Sequence, residues 1–135
     1  GTGPFIVGTA GDLTMTNDVF TTGLQVDGNL SVKGSTGSTT GSAINGALNI
    51  GSQGVLAIEG ESPLGSAVLA LGGAAVNAGT IVLDNLHTST SSARNASLIV
   101  DGTLSNTGTI QSANTGVTGI GSRTITGDLH FCIPT

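Results

Sequence analysis

Apolar side chains fall on every second position in short runs along this chain, and a glycine stands just ahead of most of those runs. The recurring unit is Gly-x-Leu-x-apolar, as in Gly11-Asp-Leu13-Thr-Met15, Gly28-Asn-Leu30-Ser-Val32, Gly46-Ala-Leu48-Asn-Ile50 and Gly127-Asp-Leu129-His-Phe131. Gly102-Thr-Leu104-Ser-Asn106 and the degenerate Gly73-Ala-Ala75-Val-Asn77 complete the set. A period of two is the signature of a strand that shows one side to a core. The glycine marks a bend where a side chain would clash. A second short strand follows in most units, at Val55–Ile58, Thr80–Leu83 and Thr109–Ile110. No segment sustains the helical period of an amphipathic helix.

The units repeat. Leu69–Ile81 matches Leu98–Ile110, sharing Asn-x-Gly-Thr-Ile, and Leu24–Gly34 matches Leu98–Gly108 without a gap. The six units start at Gly11, Gly28, Gly46, Gly73, Gly102 and Gly127. The short steps from Gly11 to Gly28 and from Gly28 to Gly46 define a basic rung, and the longer steps carry insertions. Those insertions are Ser35–Ser42, Leu86–Asn95 and Ser112–Ser122, all polar and of low complexity. Stacked repeats of this length, each too thin to fold alone, predict an all-β solenoid of about six rungs. In that register Leu30, Leu48, Leu104 and Leu129 stack in the core. Asn77 and Asn106 fall at matching turns where amides can bond along the column, and Asp27 and Asp101 occupy equivalent positions.

The string Gly102-Thr-Leu-Ser-Asn-Thr-Gly-Thr-Ile110 resembles the repeats of filamentous-haemagglutinin-like adhesins of the two-partner secretion type. Gly73–Ile81 is a weaker copy with Ala75 at the leucine, and Val32, Ile50 and Phe131 replace the usual Asn in other units. That resemblance implies a right-handed parallel β-helix acting in adhesion, biofilm formation or contact-dependent toxin delivery. Leu24–Leu30 and Leu48–Gly54 are also similar to bactofilins, cytoskeletal β-helices whose rungs have the length of the short steps here. The long Ser/Thr insertions and the few charges favour the adhesin-like reading.

Composition narrows the picture. Only 8% of the 135 residues are charged, mean hydropathy is +0.31, and Trp and Tyr are absent. That is the reverse of a disordered composition and suits a thin core of small aliphatics. Net charge is −5 with Lys33, Arg94 and Arg123 as the only cations, which leaves no basic stripe for nucleic acid. The uncharged run 62–83 contains Pro63, glycines and Asn77, so it reads as solenoid and not as a membrane span.

Candidate chemistry is sparse. His87 lies in a Ser/Thr loop, and His130 lies between Leu129 and Phe131 and should point outward. No serine is marked as a nucleophile, Glu59, Glu61 and Asp84 look scattered, and no calcium-binding nonapeptide recurs. No catalytic, cofactor-binding or metal-ligating residues are therefore assigned. Cys132 is alone, fitting a buried small hydrophobe or a thiol that pairs between chains. The start Gly1-Thr-Gly-Pro4 has no initiator Met or signal peptide, as expected of a processed or cut chain.

The expectation is a single domain over 1–135: a non-enzymatic, extracellular or cell-surface solenoid, either a segment of a longer adhesin or a fibre subunit. Its expected partners are other copies, head to tail through terminal rungs, or flanking repeats of the same chain, with cell-surface or matrix glycans as ligands. Neither nucleic acid nor membrane insertion is expected. The alternatives are a bactofilin-like cytoskeletal polymer and a carbohydrate-binding or phage-fibre β-helix. A sugar site would want aromatic platforms, and Phe5, Phe20 and Phe131 are the only aromatics.

Overall fold

The computed structural model describes residues 3–35, 41–61, 65–86, 94–116 and 121–131. His87 and Cys132 lie outside them. Every regular element among the described residues is a strand. The chain winds as a parallel β-solenoid with three faces. The first face stacks β1 (Phe5–Val7), β4 (Leu24–Val26), β7 (Leu48–Ile50) and β10 (Ala75–Asn77). The second stacks β2 (Asp12–Thr16), β5 (Asn29–Lys33), β8 (Val55–Gly60), β11 (Thr80–Asn85) and β13 (Thr109–Ala113). The third stacks β3 (Val19–Phe20), β6 (Ser42–Ile44) and β9 (Ala67–Leu71).

Two long strands, β12 (Ala96–Asn106) and β14 (Arg123–Phe131), turn a corner and belong to two faces. Their first halves extend the third face and their second halves the first face, with a register shift between Val100 and Thr103 where β12 bends. All these ladders are parallel.

Alternation sends one residue in two to the interior, and identical positions stack from coil to coil. Leu24, Leu48, Ala75, Leu104 and Leu129 form one row on the first face. Leu13, Leu30, Leu56, Ile81 and Ile110 form another on the second. Leu69 and Leu98 stack on the third. The buried apolar set consists of Leu, Ile, Val, Ala and Met15, a core thin enough to be filled without aromatics.

The expected register needs correcting. The five strands of the second face span about four turns, not six rungs. The six Gly-x-Leu units do not share a face: Gly11 and Gly28 lead into β2 and β5, whereas Gly46, Gly73, Gly102 and Gly127 lead into first-face strands. A bend followed by a period-two strand occurs at more than one corner of each coil, so one local pattern marks two places. Leu30 accordingly lies on a different face from Leu48, Leu104 and Leu129, and Leu129 is only half-buried on the outermost described strand. The gap-free match of Leu24–Gly34 with Leu98–Gly108 joins different faces, since Leu24 stacks on Leu48 and Leu98 on Leu69. Asp27 and Asp101 are therefore not equivalent. The match of Leu69–Ile81 with Leu98–Ile110 is a true coil, pairing Leu69 with Leu98, Asn77 with Asn106 and Ile81 with Ile110.

Candidate functional site: the loop-bearing corner

Three corners join the faces, and they differ in kind. Between the first and second faces the chain crosses in two to four residues, at 8–11, 27–28, 51–54, 78–79 and 107–108. This corner is tight because backbone stacks on backbone: a Cβ at Gly108 would overlap the Gly79 carbonyl. Between the third and first faces the crossings are equally short, and a Cβ at Gly102 would come within 2.6 Å of the Gly73 oxygen.

The corner between the second and third faces is the exception. After the first coil, the chain leaves it for six to ten residues each time, at 34–41, 61–66, 86–95 and 114–122. The described stems of the expected insertions at 35–42, 86–95 and 112–122 thus stand one above another along a single edge, except that Ser42 belongs to β6 and Ser112 and Ala113 to β13.

The stems of these excursions are fastened from coil to coil. On the third-face side Ser42 Oγ accepts the Asp18 N–H at 3.1 Å, and Asn17 Oδ1 accepts the Gly41 N–H at 3.3 Å. Higher up, Ser66 Oγ accepts the Asn95 N–H at 2.9 Å, and Asn95 Oδ1 accepts the Ser122 N–H at 2.8 Å. These short polar side chains satisfy backbone donors that have left the strand ladder. Gly41 sits at φ +86°, a conformation that a side chain would strain.

The charges gather on both sides of this corner. Lys33 Nζ lies 3.1 Å from Glu61 and 3.7 Å from Glu59. Glu59 and Asp84 stand side by side in the ladder. Asp84, 8% exposed, accepts both the N–H and the hydroxyl of Thr115, which ties down the last excursion. Arg123 donates from Nε to Ser112 Oγ at 2.9 Å and from Nη1 to the Gly121 carbonyl at 3.1 Å. All three cations, Lys33, Arg94 and Arg123, thus line this corner, with Asp18, Glu59, Glu61 and Asp84 among the eight acids.

No family model, curated protein or solved structure matches the chain. The reading of the site rests on its own residues.

Glu59, Glu61 and Asp84, scattered in the sequence, are brought together. Lys33 joins Glu59 and Glu61, a grouping that the sequence did not signal. His130 points outward as expected, with Nε2 2.9 Å from Asp128 Oδ1 and its side chain 60% exposed. Among the described residues no group of three or more His, Cys, Asp or Glu is placed to hold a metal. No helix among them is long and apolar enough to cross a membrane. Ion pairs, hydroxyls and amides along a stacked edge equip this corner to hold loops and offer hydrogen bonds.

Proposed function

We propose that the chain is a non-enzymatic scaffold of the extracellular space or cell surface. In this reading the solenoid is the rigid part, and the loop-bearing corner presents Ser/Thr-rich segments to a glycan or matrix ligand. The observation that carries it is the confinement of every long excursion to one corner, with stems tied to their neighbours. Insertions gathered on one side of a solenoid commonly form its binding side. The resemblance of 102–110 to two-partner secretion adhesins supports the adhesive reading, as does the hydroxyl-rich, weakly charged character of the excursions.

The test is a binding assay of the purified chain on immobilised matrix proteins and a glycan array. It is compared with a variant in which 36–40 and 87–93 are replaced by Gly/Ser linkers of equal length. Expected is binding by the parent that the loop variant loses while its far-ultraviolet spectrum and melting temperature stay unchanged. Equal binding by both, binding by neither, or turnover of a polysaccharide would overturn the proposal.

A further inference from the structure

We propose that Asn45 is a site of spontaneous covalent modification, where the chain deamidates while it is folded. The reaction needs an asparagine amide and the backbone nitrogen of the next residue. That nitrogen attacks Cγ, its proton leaves with the amide as ammonia, and a cyclic succinimide forms. Water then opens the ring at either carbonyl, giving an aspartyl or an isoaspartyl residue. Any asparagine is open to this chemistry, so the fold decides which of them reacts.

The chain has nine asparagines, all among the described residues. At eight of them the following N–H is engaged. Asp18 donates to Ser42 Oγ at 3.1 Å and Thr115 to Asp84 Oδ1 at 2.9 Å. Ala78, Leu86, Ala96 and Thr107 each donate to a backbone carbonyl of a neighbouring coil. Leu30 and Ile50, which follow Asn29 and Asn49, lie inside the β5 and β7 ladders. Most of the side-chain amides are held too: Asn77 by Asn106, Asn29 by Asp12 and Asn49 by Gln25. A nitrogen committed to a hydrogen bond in a ladder or turn is not free to attack.

Asn45 is the exception. It is exposed, just past β6, where the third face crosses to the first. Its own N–H donates to the Phe20 carbonyl at 2.8 Å, and the Ile44 carbonyl accepts the Gly72 N–H at 2.9 Å. Beyond that anchor, among the described residues, no hydrogen bond holds its side-chain amide or the Gly46 N–H. Gly46 is also the one glycine that directly follows an asparagine, and it has no side chain to shield its nitrogen. The two products differ in their effect on the coil. An aspartyl residue keeps the backbone length and adds a negative charge to the corner that carries Asp101. An isoaspartyl residue routes the chain through Cβ and lengthens it by one carbon. The corner has no slack for that carbon: a Cβ at Gly46 would lie 2.3 Å from the Thr22 carbonyl carbon, and one at Gly73 would lie 2.6 Å from the Gly46 oxygen. The isoaspartyl form therefore loosens the stack, and the aspartyl form does not. The inference is independent of the adhesive role, because position 45 lies away from the loop-bearing corner.

Timed incubation of the purified chain in mildly alkaline buffer, folded or in urea, tests this by peptide mapping with mass spectrometry. In the folded chain, position 45 is expected to convert within an order of magnitude of its rate in urea. Every other asparagine should convert at least an order of magnitude more slowly than position 45. Asn45→Gln should remove most of the ammonia released by the folded chain. The isoaspartyl fraction, labelled with an isoaspartyl methyltransferase, should melt below the fresh chain, whereas Asn45→Asp should melt with it. Conversion of position 45 in urea but not in the folded chain would overturn the proposal, because the corner would then protect its amide. So would a second asparagine that converts as fast in the folded chain, or ammonia release that Asn45→Gln leaves unchanged.

Discussion

Replacing Asn77 with alanine removes one half of a buried amide pair, since Asn77 stacks on Asn106 one coil above it. Asn77 is fully buried; its Nδ2 donates to Asn106 Oδ1 at 2.6 Å and to the Thr109 carbonyl at 3.1 Å, and its Oδ1 accepts the Gly79 N–H at 3.1 Å. Alanine leaves all three partners without that bond, and the bonds to Asn106 and Gly79 are buried. At about 1 kcal/mol for each lost bond, and more where a buried group stays unsatisfied, the cost is roughly 3 kcal/mol. Asn49, one coil below Val76 on the outer side of the first face, donates to Gln25 Oε1 at 2.7 Å in full contact with solvent. Asn49→Ala should cost less than about 0.5 kcal/mol. Equilibrium urea unfolding followed by far-ultraviolet dichroism measures both. Equal midpoints for the two variants would refute the claim that the amide pair holds the corner between the first two faces.

Leu104→Ala should destabilise by about 2–5 kcal/mol in the same assay, because Leu104 is fully buried between Ala75 and Leu129; Leu129→Ala, half-buried on the outermost strand, should cost less than half as much. Gly108→Ala should lower the melting temperature sharply, since its Cβ would overlap the Gly79 carbonyl, whereas Gly8→Ala, with open space around it, should leave scanning calorimetry unchanged.

Much of this architecture was legible in the sequence because strand periodicity and glycine spacing are local signals. The solenoid, the outward His130 and the stacking of Asn77 on Asn106 all follow from short strings that recur in each coil. The register of the coils was not legible. Gly28-Asn-Leu30 and Gly46-Ala-Leu48 are the same pattern to a reader of the chain, yet one starts a second-face strand and the other a first-face strand. Nothing local distinguishes two glycine corners that obey the same steric rule. The grouping of Lys33 with Glu59 and Glu61 was hidden for the opposite reason. It depends on residues far apart in the chain, brought together only once the length of the coil is fixed.

The tight packing of two corners has a consequence for how this chain can vary. Where backbone stacks on backbone the crossings stay within two to four residues, so longer additions are channelled to the remaining edge. Successive coils bring that edge back at about 4.8 Å intervals, so segments grafted there stand in a comb. A ligand too weakly held by one tooth could be gripped by several at once. Affinity would then rise through effective concentration, with no change in any single contact.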